Sequence, residues 1–232
     1  NKTLFIYDVP IYIDEKLHLI HTYRCGDFKD EVLVLLHGFG GSSALYYNML
    51  KDLSEHYQVY CIDFAGMGLS SKQKFECKST EETLEFFLGS IEKWRQAVRL
   101  DKFHLAGHSF GGYMSAHYAF KYPERVTKLS LLSPVGVTKG IKEINVEERA
   151  AKMGFWQRQF FTWAMNNWKK GETPHSILRS FSFVGKFLVK KQLKRLFSVE
   201  KEHEEPLGEY MAEMLSLPIG SEPAIHHIIK GP

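Results

Sequence analysis

The stretch "FHLAGHSFGGYMSAHYAF", from Phe103 to Phe120, joins a strand-like apolar run, a glycine-rich turn and a helix-like pattern. At the turn, "GHSFGG" fits the nucleophile motif G-x-S-x-G with Ser109 at its centre. The chemistry needs the small residues Gly107 and Gly111, because a side chain there would crowd the strained backbone that lifts the serine above the sheet. The helix N-terminus behind the serine favours developing negative charge. Ser109 is therefore the candidate nucleophile, with an ordinary serine in a glycine-rich turn as the alternative.

A second glycine loop, "LLHGFGGSS" from Leu35 to Ser43, follows an earlier strand-like run. Its glycines, Gly38 and Gly40 among them, free backbone N–H groups to point at an oxyanion. The amides of Phe39 and Phe110 are the expected donors. Glycines after a strand also suit a plain turn or a phosphate-binding loop, but neither G-x-x-x-x-G-K-[ST] nor the G-x-G-x-x-G spacing fits here.

Four short apolar runs predict strands that are buried on both faces, as in a parallel sheet. They are Val32–Gly38, Gln58–Phe64, Phe103–Ser109 and Val126–Pro134. Helical patterns at 42–54 and 80–98 lie between them, the second opened by a capping box of Ser79 and Glu82. Ahead of them, "IYI" and "LHLIHTYRC" predict an antiparallel hairpin at the sheet edge. The alternation predicts the α/β class, with a mostly parallel, doubly wound sheet.

The pattern changes after residue 138, so we predict two regions: a core at 1–138 and an inserted helical cap at 139–232. Strand-like runs vanish in the second region, and "FWQRQFFTWAMNNW" places Trp156, Phe160 and Trp163 at helical spacing. Such a helix more often packs its tryptophans in a core than at a membrane interface, although both uses are open.

Composition narrows the function. The 232 residues carry a net charge of only +3, which is too small to indicate nucleic-acid binding. The three cysteines show no metal-ligand spacing, and their odd number suggests a reducing compartment. We expect neither a metal nor another cofactor. No stretch approaches the roughly 20 apolar residues of a membrane span. We expect an intracellular protein, cytoplasmic or mitochondrial, that is peripheral to membranes.

Two further segments complete a family pattern: "DFAGMGLS", from Asp63 to Ser70, and "YPERV", from Tyr122 to Val126. Together with the two glycine loops, in this order and spacing, they resemble the α/β-hydrolase family across about the first 138 residues. The resemblance implies an open, mostly parallel sheet with Ser109 as nucleophile. It also implies that Asp63 braces its own loop and is not the triad acid.

A narrower likeness is carried by "HTYRCGD", "GHSFGGYMSAHYAFKYPERV" and "RSFSFVGKFLVKKQLKRLF". These segments are similar to the branch that contains the comparative-gene-identification lipase coactivator, the N-acyl-phosphatidylethanolamine lipase and the cardiolipin-specific deacylase. The likeness implies phospholipid or glyceride acyl chains as substrates, and some members of the branch lack the serine and act as coactivators. The chain departs from the branch at "SPVGV", residues 133–137, where an aromatic residue usually follows the proline.

The partners of Ser109 are not evident in the sequence. Every aspartate lies at or before Asp101, and none of the five histidines after Ser109 falls where the family keeps its base. The family order Ser…Asp/Glu…His places acid and base after two further strands. We therefore expect the C-terminal part of the core to be absent from this chain, and the natural polypeptide to be longer by roughly 80 to 120 residues, or two to three βα units of about 30 residues.

A basic amphipathic pattern in the cap, "VGKFLVKKQLKRLF", places Lys186, Lys190 and Lys194 on one helical face. This pattern suits an anionic membrane or lipid-droplet surface, although a lid helix with solvated lysines explains it as well. The leading hypothesis is a serine lipid esterase, a phospholipase or lysophospholipase with an acyl-enzyme on Ser109. The rival is a non-catalytic lipid-binding or scaffold subunit, or a coactivator, for which protein partners are possible. The H-x-x-x-x-D pattern that accompanies acyltransferase activity in relatives does not occur.

Overall fold

The computed structural model describes residues 3–136, 153–173, 175, 176, 179 and 201–229. The chain divides into two compact units, residues 1–138 and 139–232. The first unit contains a sheet whose six strands, in chain order, are β1 Leu4–Ile13, β2 Lys16–Cys25, β3 Val32–Leu36, β4 Gln58–Ile62, β5 Phe103–His108 and β6 Val126–Leu132.

The strands follow the order β1-β2-β4-β3-β5-β6 across the sheet. Strands β1 and β2 form the predicted antiparallel hairpin at one edge, and β2 also pairs antiparallel with β4. The pairs β4–β3, β3–β5 and β5–β6 are parallel. The predicted α/β class with a mostly parallel sheet is therefore confirmed. Because parallel strands end at the same edge, the loops after β3, β4 and β5 lie together.

Three helices of the first unit cover the sheet: α1 Tyr47–His56, α2 Thr80–Ala97 and α3 Phe110–Lys121. One face of the sheet packs against α1. There Leu50 of α1 and Tyr46 of the preceding short 3-10 helix pack with the buried strand residues Leu35 and Val59. On the opposite face, the indole of Trp94 in α2 packs on Tyr60 and donates to Thr22 Oγ1 at 3.0 Å. Helices on both faces explain why every residue of β3 and β4 is buried, and why these strands are apolar except for Gln58 at the start of β4.

The start of α2 agrees with the capping signal in the sequence. The Ser79 hydroxyl accepts the Glu82 N–H at 3.1 Å, while the Glu82 carboxylate accepts the N–H of Lys78 at 2.8 Å. The acidic group thus reaches one residue further back than in the standard capping box. The helix ends at Ala97, one residue before the predicted limit.

Strand β6 corrects one prediction, because it is not buried on both faces. All its residues after Val126 are exposed, and Leu129, Leu131 and Leu132 retain about two-fifths of their accessible surface, at 41%, 38% and 42%. The apolar run identified the strand but not its position, since β6 pairs only with β5 and forms an edge in the described part of the sheet. The apolar composition of a strand shows which side chains could be buried, but the neighbouring strands and helices determine which of them are buried.

In the second unit the described residues form the helices α4 Phe155–Lys169, α5 Lys201–Ser216 and α6 Ile225–Ile228. A helix over the tryptophan-rich segment is thus confirmed, and Trp168 packs its ring against His226 with centroids 4.2 Å apart. Arg179 joins the end of α5 to the next turn by donating to Leu215 O at 2.7 Å and to Glu222 at 2.8 Å. Among the described residues of both units, no helix has the length and apolar character needed to cross a bilayer.

Candidate active site

Ser109 lies at the junction of β5 and α3 with φ 53° and ψ −112°, in the left-handed region that L residues seldom adopt. Its N–H donates to Leu132 O at 2.9 Å, and its carbonyl oxygen accepts from the N–H groups of Tyr113 at 3.0 Å and Val135 at 3.2 Å. These bonds hold the strained backbone from both neighbouring elements. Strain maintained in this way, at about 1–3 kcal/mol, is typical of a functional turn.

Glycine is required on both sides of the serine. A β-carbon on Gly107 would overlap the carbonyl group of Gly111, and one on Gly111 would overlap the carbonyl oxygen of Leu36 and lie 2.6 Å from that of His37. The start of α3 is therefore packed directly on the end of β3. This close approach is the physical basis of the small residues in the motif.

The second glycine loop lies beside the serine. A β-carbon on Gly38 would be 3.3 Å from the Ser109 β-carbon and 3.0 Å from His108 Nδ1. The rings of Phe39 and Phe110 contact each other edge to face with centroids 6.4 Å apart. The Phe110 amide belongs to the first turn of α3, whose N–H groups have no acceptor within the helix. The structure thus brings together the nucleophile candidate and both residues predicted to supply oxyanion donors.

Buried His37 connects this loop to the next one. Its Nδ1 lies 2.8 Å from Gly38 O, and its Nε2 lies 3.1 Å from the Phe64 amide nitrogen. A carbonyl only accepts and an amide N–H only donates, so Nδ1 carries the proton and Nε2 is bare. Burial lowers the pKa of His37, against the opposing effect of Asp63, whose Oδ1 is 3.9 Å from Nε2. The imidazole is therefore a neutral structural group and not a base for Ser109.

Asp63 is fully buried and braces its own loop, as the family resemblance implied. One carboxylate oxygen accepts the Ser43 N–H at 2.6 Å and the other accepts the Leu69 N–H at 2.7 Å. Ser70 Oγ donates to the Asp63 carbonyl oxygen at 2.8 Å. Gly68, at φ +54°, lies so close that a β-carbon there would overlap the carboxylate. This carboxylate ties the loop after β3 to its own loop, with both oxygens engaged by backbone N–H groups, and is not the acid of a triad.

Across the described ranges, the Ser109 hydroxyl has no hydrogen-bond partner. His117 lies on α3 and packs against Tyr113 with the two rings tilted and their centroids 4.4 Å apart, and burial lowers the pKa of His117. The later histidines described, His175, His203, His226 and His227, all belong to the second unit. Lys186, Lys190 and Lys194, proposed as membrane contacts, lie outside the described residues, and the described part holds no group of three or more metal-ligating side chains.

Sequence reasoning missed the contacts that hold the two loops to each other. Phe64, which follows β4, packs edge to face on His37 at 5.0 Å and on Phe110 at 5.3 Å between centroids. Phe87 of α2 completes this cluster by contacting both phenylalanines. The only signal in the sequence was an aromatic residue directly after a strand and a histidine before a glycine, and neither specifies its partner.

A nucleophile turn, a neighbouring glycine loop and a doubly covered parallel sheet define a hydrolase-type site. Residues 31–196 match the alpha/beta hydrolase fold family, and the chain belongs to that family. The resemblance carried by the sequence segments is thus confirmed.

The chain is similar to several acyltransferases. It is 33% identical over 208 residues to the "Probable 1-acylglycerol-3-phosphate O-acyltransferase" of Oryza sativa subsp. japonica, which covers 85% of this chain and 49% of that protein. It is 46% identical over 104 residues to "1-acylglycerol-3-phosphate O-acyltransferase ABHD5" of Homo sapiens, covering 45% and 30%. The chain therefore spans about half the length of the first relative and less of the second.

Solved structures show the same fold. A membrane phospholipase A described as a bacterial virulence factor aligns with a TM-score of 0.63 and 23% identity, over 96% of this chain and 61% of that one. The 2-hydroxy-6-oxo-6-phenylhexa-2,4-dienoate hydrolase of a Rhodococcus strain aligns with a TM-score of 0.62 and 17% identity, over 97% and 71%. At these identities the likeness establishes the fold alone.

Proposed function

We propose that the full-length protein containing this chain is a serine lipid esterase, which forms an acyl-enzyme on Ser109 from phospholipid or lysophospholipid acyl esters. The observation that carries the proposal is the left-handed Ser109 at the β5–α3 junction, beside the Gly38 loop. Strained backbone conformations that the surrounding structure holds in place cluster at active sites and ligand-binding sites. The relatives named for 1-acylglycerol-3-phosphate support a glycerolipid as the class of substrate.

In the proposed reaction the Ser109 oxygen attacks the carbonyl carbon of the lipid ester and gives its proton to a general base. The carbonyl oxygen becomes an oxyanion, which accepts hydrogen bonds from the amides of Phe39 and Phe110. When the ester C–O bond breaks, the base returns the proton to the leaving alcohol. Water or a lipid alcohol then attacks the acyl-serine and restores the hydroxyl, so the choice of acceptor decides between hydrolysis and acyl transfer.

We propose that a base and an acid outside the described residues complete the site of Ser109, and the exposed edge strand β6 supports a position for them. The exposed leucines of β6 form an apolar edge of the kind that an adjoining βα unit covers. We propose that further βα units of the full-length polypeptide pack there and bring the histidine and its carboxylate to the carboxyl end of the sheet, near Ser109.

The rival function is a non-catalytic lipid-binding or coactivator subunit that retains the nucleophile turn. The unpartnered Ser109 hydroxyl within the described residues is the observation in its favour. The two functions differ in one measurable species, the acyl-serine, which only the esterase forms.

Acyl-enzyme trapping tests the esterase. Full-length protein would be mixed with a 1-acyl lysophospholipid, quenched in acid within seconds and digested for mass spectrometry. We expect one acyl group on Ser109, faster loss of that group when 1-acylglycerol-3-phosphate is added if the protein transfers acyl chains, and no adduct in Ser109→Ala. Absence of the adduct in wild-type protein at all quench times, with no substrate consumed, would favour the coactivator.

Membrane contact through the basic segment is proposed from the sequence alone. Each lysine near an anionic surface contributes about 1 kcal/mol of binding, so replacing Lys186, Lys190 and Lys194 by Gln should weaken binding to phosphatidylserine vesicles and reduce its salt dependence. The charge-matched control replaces Lys74, Lys78 and Lys102, which are exposed lysines of the first unit. An equal loss of vesicle binding in both triple variants would show that only net charge matters, and would contradict membrane contact through this segment.

A further inference from the structure

The peptide unit between Gly38 and Phe39 is held in one orientation by two donors. The Gly38 carbonyl oxygen accepts the Gly41 N–H at 3.0 Å and the His37 Nδ1–H at 2.8 Å. In a trans peptide the C=O and N–H bonds point in opposite directions. The Phe39 N–H is therefore directed away from the imidazole and away from the interior of the turn.

This orientation needs a restraint because the loop is rich in glycine. Gly40 has φ +72°, and Gly38 lacks a side chain, so neither residue resists a flip of the intervening peptide units. A flip would turn the Phe39 carbonyl or the Gly38 carbonyl toward the place where the amide should be. A carbonyl there would repel an oxyanion instead of binding it.

His37 is itself fixed. Only 1% of its surface is exposed, and its second nitrogen accepts the Phe64 N–H at 3.1 Å. The ring of Phe64 packs on Phe110, the residue that follows the nucleophile. An unbroken series of contacts thus runs from the Phe110 side of the site through Phe64 and His37 to the Gly38 carbonyl.

We propose that His37 is a positioning residue, which locks the Gly38–Phe39 peptide through the Gly38 carbonyl so that the Phe39 amide serves the oxyanion at Ser109. The inference rests on the proposed serine esterase function. It assigns to His37 no proton transfer and no contact with substrate, because both ring nitrogens are already engaged by the backbone.

Three variants of the full-length enzyme separate the two hydrogen bonds of the imidazole. Asparagine at 37 places an amide N–H near the position of Nδ1 and keeps the donor to Gly38, whereas glutamine places its amide near Nε2 and keeps the contact with Phe64. Phenylalanine fills the volume and keeps neither. Rates are expressed per Ser109 titrated with an active-site label, and the thermal midpoint of each variant is recorded, so that unfolded protein lowers the number of sites and not kcat.

We expect His37→Phe and His37→Gln to lower kcat by about 100-fold, the scale of losing one oxyanion donor, with KM changed by less than about threefold. Affinity for a trifluoromethyl ketone, which forms an oxyanion on the serine, should fall by the same factor. His37→Asn should recover most of both. Unchanged kcat per site in His37→Phe and His37→Gln, or an asparagine variant no better than the glutamine variant, would overturn the inference. Wild-type protein that forms no acyl-enzyme would contradict the esterase function instead.

Discussion

Gly107 and the carbonyl of Gly111 are in direct contact, so close that a β-carbon on Gly107 would overlap the carbonyl group. The contact joins the end of β5 to the first turn of α3 across Ser109, and it leaves no direction in which a methyl group could be placed. The geometry of the nucleophile turn therefore depends on Gly107 and Gly111, because every other amino acid would place a β-carbon where these glycines have only a hydrogen atom.

The first prediction concerns these glycines. Gly107→Ala and Gly111→Ala should each lower the free energy of unfolding by at least about 3 kcal/mol, because the obstructing atoms belong to the backbone and cannot rotate away. Gly89→Ala is the matched control: it lies inside α2, its nearest neighbour would be 3.9 Å from the new β-carbon, and it should stabilise the protein by about 0.5–1 kcal/mol. Urea unfolding measures all three. Equal effects at the three positions would contradict the close backbone approach at Gly107 and Gly111.

Ser109 should be a site where activity and stability conflict. Glycine adopts the left-handed conformation without strain, so Ser109→Gly should be more stable than Ser109→Ala by about 1 kcal/mol, which is the strain relieved less the added freedom of the unfolded chain. Both variants lack the nucleophile and should form no acyl-enzyme. Thermal unfolding of the two proteins side by side provides the comparison, and a more stable alanine variant would mean that the backbone at 109 is not strained.

Asp63→Asn should destabilise the first unit although the change is nearly isosteric. The two carboxylate oxygens accept amide N–H groups of Ser43 and Leu69, and an asparagine would present an NH2 group to one of them. Leaving a buried N–H without an acceptor costs about 1–3 kcal/mol. The control is Asp101→Asn, whose side chain is 80% exposed and pairs with Arg125, where less than about 0.5 kcal/mol is expected. Denaturant titrations in which the control loses as much as Asp63→Asn would refute the bracing role.

Stability should fall as the pH is lowered below about 6.5, the ordinary histidine value. Burial lowers the pKa of His37 in the folded protein, so between the folded and unfolded pKa values the unfolded chain binds a proton that the folded chain does not. Stability therefore rises with pH across this window, by up to about 1.4 kcal/mol per unit for one such group, and is fully present above it. Asp63 opposes the shift and Lys72 adds to it.

The test measures unfolding free energy between pH 5 and 8 in wild type and in His37→Asn, which does not titrate. The slope should be smaller in the variant. His18 and His117, whose pKa burial also lowers, contribute with the same sign and keep the residual slope positive. An identical slope in both proteins would mean that His37 is protonated alike in the folded and unfolded states.

Much of the fold could be predicted because the local signals agree with one another. The apolar runs, the capping serine at 79 and the glycine turn each specify one element, and all of them indicate a parallel sheet with crossover helices. The exposure of Leu131 could not be predicted, because a strand's sequence does not state how many neighbours it has. The nucleophile turn at Ser109 was predictable, because its strained backbone requires glycines at fixed positions. The contact of His37 with Phe64 was not, because it joins two residues that are 27 positions apart in the chain and share no local sequence pattern.

Labelling by a fluorophosphonate tests whether Ser109 is an activated nucleophile. Full-length protein would be treated with the probe and the modified peptide sequenced, with Ser109→Ala and heat-unfolded wild type as controls. We expect stoichiometric modification of Ser109 in folded wild-type protein and none in either control. Full-length folded protein that never reacts, or labelling that persists in Ser109→Ala, would contradict it.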